Sequence, residues 1–497
     1  MKITAVTQKE AAQKENIFLP MLRNHPVEKQ EFFSYIPEHA KKILITFAAQ
    51  GFKGEEGEIK SLWLDSVKPR RIILFGLGEQ SKWNERKNPL IARRLVQYAK
   101  KEGLKEYSVF LPHEFLKDIK DTTKTFAENT RMANFEFNKY KKPPQEGWKS
   151  IEAVYLAGDH LAQKSAAMGI AEGMIVGEET NRCRELANTP GSDMTPALLA
   201  QSAIETAKRT GMKATVFDEK KMHTLGMGAI LGVGRGSAEK SKFIILEYSK
   251  GPKTQQPLVL VGKGVTFDTG GLNLKPDNYI YEMHMDMSGG AAVIHGMAAI
   301  ARLKLPLNVV GLIPAVENMP SGSSYRPGDQ LKSLSGKTIE ILNTDAEGRV
   351  ILADALTYGL RYKPDIMVDL ATLTGAAHVA LGNYCSALFS NDEKLQNNLV
   401  EIGKKSGDYL WPLPLWEEYL PEIQGTFGDL ANTGAKDRYG GAIHGAKFLE
   451  QFAGTTRFAH LDIAPKMTTI ESEYLSKGAS GVGVRFIAEL GRQYTHL

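Results

Sequence analysis

Short apolar runs alternate with longer stretches of helical periodicity along the whole chain. In residues 1–150 the runs KKILITFA, RRIILFGLG and YSVFLP are bounded by polar residues, Gly or Pro, and NPLIARRLVQYAKKEG has helical spacing. Strands that alternate with helices favour an α/β unit with a largely parallel sheet. The pattern predicts a small amino-terminal α/β domain over residues 1–160, closed by a strand in IEAVYLAG after a polar surface connection, FEFNKYKKPPQEGWKS.

Residues 161–187 contain few helix breakers, and they predict one long linking helix that begins at Leu161. This helix should stop before Asn188, because Pro190 disfavours helical geometry at Thr189.

Residues 188–497 repeat the strand and helix alternation and predict a larger catalytic domain with a mixed, mostly parallel sheet flanked by helices. The predicted strands lie in ATVFD, FIILEY, PLVLVGKGV, LNVVGLIPA, KTIEIL, DIMVDLATL and RFAHLDI. In such sheets ligands bind at the carboxyl ends of the strands. The glycine-rich segment 226–237 does not fit a dinucleotide-binding fingerprint and is expected to be a turn-rich loop.

Composition and charge exclude several classes of protein. With 497 residues, 42% of them hydrophobic, the chain can build large cores and is not disordered. It has only two cysteines and lacks the ~18 successive apolar residues of a spanning helix, so we expect a cytoplasmic protein without membrane attachment. The net charge is +9 in residues 1–150 and −4 in the remainder. Because residues 1–150 are basic, a nucleic-acid partner is an alternative interpretation.

Four acidic residues lie in glycine-rich loops that each follow an apolar run: Asp268, Asp286, Asp345 and Glu347. Taken singly, such acids are usually solvated or cap helices. If the loops converge, four like charges cannot all stay ionised without cations among them. Two divalent metal ions resolve this conflict and can activate a water molecule for hydrolysis.

Three basic residues accompany the acids, and each has a distinct candidate role. Lys263 can be a metal ligand only as a neutral amine, a state that nearby dications favour. Lys275 can polarise a substrate carbonyl as a cation. Arg349 is suited to hold a small oxyanion, although any of the three could instead form a surface salt bridge.

The segments GKGVTFDTGGLNLKP, MDMSGG and NTDAEGR resemble the leucyl aminopeptidase (cytosol aminopeptidase, M17) family, whose signature heptapeptide is matched in full by residues 343–349. The similarity covers at least residues 170–490. The first 150 residues resemble that family's variable amino-terminal domain on weaker grounds.

The resemblance implies a metal-dependent exopeptidase that releases leucine or another hydrophobic amino-terminal residue from short peptides. It implies that two divalent ions are held by Lys263, Asp268, Asp286, Asp345 and Glu347, with Asp268 and Glu347 shared between them. Zn or Mn is expected, with Co or Mg also possible. The catalytic pair would be Lys275 and Arg349, the arginine holding a bicarbonate ion that acts as general base.

Substrate binding is assigned by the same resemblance to Met283, Asn343, Thr372, Leu373, Gly375, Ala464 and Met467. The family also implies a homohexamer. Thr269 and the pair Pro465 and Lys466 depart from the common pattern, and the pair is expected to reshape the pocket rim.

Two alternative functions are kept: a dinuclear metal phosphoesterase and a nucleic-acid-binding regulator that acts through the basic amino-terminal domain. Phosphoesterase centres generally recruit histidines, and the predicted cluster contains none. His284 is expected not to be a ligand. We expect packed or surface positions for the histidines in apolar or glycine-rich segments, which are His295, His378, His444 and His460.

Overall fold

The computed structural model describes residues 1–65, 68–84, 86–111, 118–158, 164–434 and 439–497. The chain divides into two compact units. Unit 1 comprises Met1–Glu178 and Glu471–Ser476, and unit 2 comprises Glu179–Ile470 and Lys477–Leu497. Every helix in the described part of the chain is too short or too polar to span a bilayer.

Unit 1 is built on one six-stranded sheet. Its strands are β1 (Lys2–Val6), β2 (Asn16–Leu22), β3 (Ile59–Trp63), β4 (Arg71–Gly78), β5 (Glu106–Phe110) and β6 (Ala153–Ala157). The helices are α1 (Gln8–Ala11), α2 (Glu38–Ala49), α3 (Lys87–Lys101), α4 (Ile119–Ala133) and α5 (Lys164–Asn188), the last of which continues into unit 2. The strand order is β1-β6-β5-β2-β4-β3, and only β3 is antiparallel to its neighbour.

Both faces of this sheet are covered by helices. Ile17 and Leu19 of β2 pack in one hydrophobic cluster with α1 and α2, whereas Phe18 between them packs in another with α3 and α4. Alternate residues of a strand point to opposite faces, so a central strand covered on both sides must be apolar throughout. The predicted α/β unit with a largely parallel sheet is confirmed.

One predicted strand of unit 1 is wrong. The run KKILITFA lies in helix α2, where Ala40 and Leu44 are buried while Ile43 and Ile45 are exposed. Residues four apart share one helix face, so Ala40 and Leu44 suffice to anchor the helix although the run looks like a strand. The long helix is present as α5 and ends at Asn188; its predicted start at Leu161 lies outside the described residues.

Unit 2 contains the remaining strands and helices. Its strands are β7 (Lys213–Phe217), β8 (Lys242–Ser249), β9 (Leu258–Gly262), β10 (Gly264–Asp268), β11 (Asn308–Asn318), β12 (Gln330–Lys332), β13 (Thr338–Glu340), β14 (Ile366–Ala371), β15 (Ser386–Ser390), β16 (Leu410–Pro412), β17 (Leu430–Ala431) and β18 (Arg457–Asp462). Its helices are α6 (Pro196–Thr210), α7 (Glu219–Leu225), α8 (Gly228–Gly234), α9 (Asp277–Ile280), α10 (Ser288–Arg302), α11 (Glu347–Gly359), α12 (Gly375–Leu381), α13 (Glu393–Ser406), α14 (Gly441–Glu450) and α15 (Val484–Gln493).

The main sheet of unit 2 is mixed, as predicted, with the order β16-β15-β18-β14-β9-β11-β8-β7 and β10 paired to β11. Strands β18, β14, β9, β11 and β10 run parallel. Leu258 and Leu260 of β9 pack with α6, α10 and α15 on one face, and Val259 and Val261 pack with α8 and α11 on the other. A small sheet, β12-β13-β17, completes the unit.

The glycine-rich segment 226–237 was expected to be a loop, and that prediction is wrong for α8. The Asp354 carboxylate accepts the backbone N–H groups of Ala229 and Ile230 at 3.0 Å each, and that of Leu334 at 2.7 Å. A Cβ on Gly228 would lie 2.3 Å from a backbone oxygen, so the glycine lets the helix approach its neighbour closely. A distant buried carboxylate therefore stabilises a helix that local sequence disfavours.

A buried ionic cluster in unit 2 predicts acid sensitivity. The Glu179 carboxylate is fully buried and accepts bonds from His295, Arg209 and Arg302 at 2.6–2.9 Å. Burial alone would raise the pKa of Glu179, but these three partners hold it well below its ordinary value. A carboxyl group whose pKa is lower in the folded than in the unfolded state stabilises the fold. This contribution to the free energy of unfolding is complete above the unfolded-state pKa of about 4.3 and is lost progressively as the pH falls below it.

We therefore expect Glu179→Gln to lower the free energy of unfolding at pH 7 by about 3–5 kcal/mol, since it removes the buried charge that Arg209, Arg302 and His295 all contact. The difference from wild type should shrink progressively below about pH 4.3. Urea denaturation between pH 3 and pH 8 measures it, with the exposed Glu205→Gln as control. A difference that does not change with pH would contradict the charge argument.

Candidate functional site

The predicted site residues of unit 2 gather at one edge of its main sheet. Lys263 follows β9, Asp268 ends β10, and Thr372 follows β14. These strands are parallel, so their carboxyl ends meet at the same edge. The strand pattern thus explains why segments far apart in sequence converge.

Three carboxylates form the centre of the site. Oxygen atoms of Asp268, Asp286 and Glu347 all lie within 4.8 Å of one another, and all three side chains are buried. Asp286 lies two residues before α10, and Glu347 is the first residue of α11. Among the described residues, Glu347 Oε2 has no hydrogen-bond partner.

Lys263 lies between two of these acids. Its Nζ is 2.8 Å from Asp286 Oδ2 and 2.8 Å from Glu347 Oε1, and it donates to the Thr372 carbonyl oxygen at 2.9 Å. Burial lowers the pKa of the Lys263 amine, but the neighbouring carboxylates outweigh it and raise that pKa above its ordinary value. The amine occupies a position where a cation is electrostatically favoured.

Lys275 links Asp345, the fourth acidic residue, to the cluster. Its Nζ is 2.9 Å from Asp268 Oδ2 and also pairs with Asp345 Oδ1. Burial raises the pKa of the Asp345 carboxyl to about 7, and the nearby Asp268 and Glu347 carboxylates add to the effect. Burial likewise raises the pKa of Asp286 well above its usual range.

The donor set fits divalent cations. Four carboxylates face only two lysine amines, so further positive charge would relieve the repulsion that raises the acid pKa values. Carboxylate oxygens with an amine nitrogen suit Mg²⁺, Mn²⁺, Co²⁺ or Zn²⁺. No histidine belongs to the acidic cluster in the described part of the chain.

Two glycines are required by the backbone around the cluster. Gly270 has a φ of +85°, in the left-handed region that favours glycine, and its N–H donates to Asp268 Oδ1 at 2.8 Å. A Cβ on Gly289 would lie 2.0 Å from the Leu370 carbonyl oxygen. Glycine is therefore needed for a positive φ at position 270 and for a close approach of two backbone segments at position 289.

Arg349 lies beside the cluster on α11 and borders a cavity of about 260 Å³. It donates to the Asn432 carbonyl oxygen at 2.9 Å. Asn343, Leu373 and Gly375, all predicted to bind substrate, also line this cavity. A space for a small ligand therefore adjoins the acids.

The other predicted substrate residues lie on two neighbouring segments. Met283 begins the 3-10 helix Met283–Met285 just before Asp286, while Ala464 begins another, Ala464–Lys466, which Met467 follows. Thr372 donates to Asp286 Oδ1 at 2.7 Å, so it also supports the acid cluster.

Sequence reasoning missed three residues that orient the site. Asn318 donates to Asp268 Oδ1 at 2.9 Å, and Asn432 accepts the Leu342 N–H at 2.8 Å through its side chain while its backbone contacts Arg349. Asp462 accepts the N–H groups of Leu373 at 3.1 Å and Ala464 at 3.2 Å. Asn318 and Asp462 each end a parallel strand, which is the signal that could have identified them.

The histidines that were expected to be packed or exposed occupy such positions. His295 pairs with Glu179 and His460 with Asp369, both 2.7–2.8 Å apart and buried. His444 is buried against Glu422, and His378 is exposed.

Fold and site together define a class of α/β proteins in which buried acids at the edge of the sheet can hold cations next to a small cavity. The family model described as "Cytosol aminopeptidase family, catalytic domain" matches residues 181–488, and the one described as "Cytosol aminopeptidase family, N-terminal domain" matches residues 24–144. The chain belongs to the cytosol aminopeptidase family, peptidase family M17. It is a metal-dependent aminopeptidase that acts on peptides.

Similar proteins agree over nearly the whole chain. A probable cytosol aminopeptidase of Chlorobaculum tepidum is 42% identical over 456 residues, which cover 88% of this chain and 90% of the relative. One of Aquifex aeolicus is 41% identical, with 88% of each chain covered. The solved structure "Bottromycin maturation enzyme BotP in complex with Mn" is 30% identical, with a TM-score of 0.83, and covers 97% of this chain and 99% of its own. The family assignment and the two-domain α/β fold are thereby confirmed.

Proposed function

We propose that this aminopeptidase is leucyl-type, preferring leucine or another hydrophobic residue at the amino terminus of short peptides. The observation that carries the metal-dependent part of this function is the buried cluster of Asp268, Asp286 and Glu347. This preference is supported by the mostly apolar residues assigned to the pocket, which are Met283, Ala464 and Met467. They can pack against a hydrophobic substrate side chain but provide no partner for a charged one.

In this proposal two divalent ions are held by Lys263, Asp268, Asp286, Asp345 and Glu347. When bound, the ions supply Lewis acidity that activates water and the scissile carbonyl. Zn or Mn is proposed, with Co or Mg as alternatives; the related BotP was solved in complex with Mn, which supports manganese. As a metal ligand Lys263 must be neutral, and its proton would be repelled by the bound cations.

The catalytic pair in this proposal is Lys275 and Arg349. Lys275 donates a hydrogen bond to the oxyanion that develops on the substrate carbonyl, while its position is held by Asp268 and Asp345. Arg349 would hold bicarbonate, which supplies the general base. Asn432, whose carbonyl accepts from Arg349 at 2.9 Å, orients the guanidinium toward the small cavity.

The same proposal includes a homohexamer in the cytoplasm. Unit 2 exposes large apolar side chains, including Val379, Trp411 and Phe427, which suits an assembly that covers them. Neither Cys183 nor Cys385 forms a disulfide, as is usual in a reducing compartment. Light scattering should give six times the 54.8 kDa chain mass, and a monomeric mass would contradict the hexamer.

Activity on amino-acid p-nitroanilides tests the substrate and cofactor assignments. We expect kcat/KM for leucine p-nitroanilide to exceed that for the glutamate and lysine analogues by about tenfold or more, equal to about 1.4 kcal/mol. N-acetyl-leucine p-nitroanilide should not react, because it lacks the free amine. EDTA should abolish the activity, and Mn²⁺ or Zn²⁺ should restore it.

Bicarbonate-free buffer should lower kcat without removing the metals. Faster cleavage of charged residues would contradict the leucyl preference alone, whereas full activity after verified metal removal would contradict the metal centre.

A further inference from the structure

Unit 1 contains a second cavity that the peptidase site does not use. It has a volume of about 380 Å³, within the usual range of small-ligand sites. Its walls include Leu22 of β2, Leu77 of β4 and Phe110 of β5, each at or next to the carboxyl end of its strand. The cavity therefore opens at the carboxyl edge of a parallel sheet.

The cavity also lies where the sheet changes winding direction. After β2 the chain proceeds to β3 and β4 on one side, whereas after β5 it proceeds to β6 on the other side. Strands β2 and β5 are neighbours, so their outgoing connections diverge and leave a crevice between their ends. In doubly wound sheets this crevice is the position at which nucleotides and similar ligands bind.

A buried polar atom at this crevice points to a ligand. Gln8 lines the cavity and is only 4% exposed, yet its Oε1 accepts no hydrogen bond from any described residue. A buried amide acceptor without a donor costs free energy. A bound group that carries an N–H would remove that cost.

The remaining walls indicate the chemistry of the ligand. Phe32 and Phe110 are buried, with ring centroids 6.2 Å apart, and they provide an apolar wall for a planar ring. Lys29 is exposed at the rim and can pair with an anion. A glutamine amide forms two hydrogen bonds with the N6 and N7 edge of adenine, and the volume suits one nucleotide rather than two.

We propose that unit 1 binds a purine mononucleotide, preferably an adenine one, in the crevice between the ends of β2 and β5. The Gln8 amide contacts the base, the two phenylalanines contact its ring, and Lys29 pairs with the phosphate.

Calorimetric titration of the full chain tests this site with AMP, adenosine, UMP and inorganic phosphate. AMP should bind once per chain, and UMP and phosphate about tenfold or more weaker. Gln8→Met, which keeps the side-chain length, should weaken AMP binding about tenfold or more, equal to about 1.4 kcal/mol or more, because it removes both hydrogen bonds to the base. The exposed Gln13→Met is the matched control and should bind AMP like wild type.

Lys29→Ala should weaken AMP about threefold to tenfold and leave adenosine unchanged, since only AMP carries the phosphate. This comparison decides the proposal even if Gln8→Met does not fold. No AMP binding at 5 mM, or equal AMP affinity in wild type, Gln8→Met and Lys29→Ala, would overturn it. Binding that disappears in Glu347→Gln would place the nucleotide at the acidic cluster of unit 2 and would also overturn it.

Discussion

Replacing Glu347 with glutamine is expected to lower kcat/KM for leucine p-nitroanilide by about 10³-fold or more, equal to about 4 kcal/mol of transition-state stabilisation. Glutamine keeps the size of the side chain but removes the negative charge that Glu347 adds to the cluster with Asp268 and Asp286. It also places an N–H₂ group where a cation would lie. Metal analysis of the purified variant should therefore give fewer than two divalent ions per chain.

The matched control is Glu317→Gln on β11. Glu317 lies one residue before Asn318, but its carboxylate bonds to Ser237 Oγ at 2.5 Å and is not part of the acidic cluster. This control should keep full activity and metal content. A Glu347→Gln enzyme with full metal occupancy and more than a tenth of wild-type activity would show that Glu347 is not a ligand.

Lys275→Ala should lower kcat about 10²- to 10³-fold and leave the metal content intact, because in the proposed mechanism it removes a donor to the developing oxyanion. The variant also frees Asp268 and Asp345 from their ion pairs, and the added negative charge favours cation binding. KM should change less than kcat, since the contact is made mainly in the transition state.

The exposed Lys332→Ala is the control for loss of a lysine from unit 2, and it should leave both kcat and metal content unchanged. Loss of metal in parallel with kcat would instead assign Lys275 a structural role and contradict its place in the catalytic pair.

Much of the fold could be predicted because strands that are covered on both faces form continuous apolar runs in the sequence. The runs that became β4, β9 and β14 are almost uniformly apolar, since helices pack on either side. Helices α2 and α8 were mispredicted for opposite reasons. The first carries β-branched residues that tertiary packing tolerates, and the second is rich in glycine and is stabilised by Asp354, more than a hundred residues away.

The predicted acids and lysines do converge, because charge in glycine-rich loops after buried strands is a visible pattern. The residues that orient them carry a weaker signal, which is the end of a parallel strand for Asn318 and Asp462 and no local pattern for Asn432. Asn318, Asn432 and Asp462 are single polar residues without a motif, and their importance depends on contacts across 50 to 90 positions of sequence. Only the register of the folded sheet brings such pairs together.

The arrangement of the three central carboxylates has a consequence for stability. Asp268 ends a strand, Asp286 precedes α10, and Glu347 begins α11, so the cluster exists only when the sheet and both helices are assembled. A cation held by all three would bind the native state and not the unfolded chain, and at 100 times its dissociation constant it would add about 2.7 kcal/mol to the free energy of unfolding. The metal supply of the cell would thereby control how long the enzyme persists as well as how fast it works.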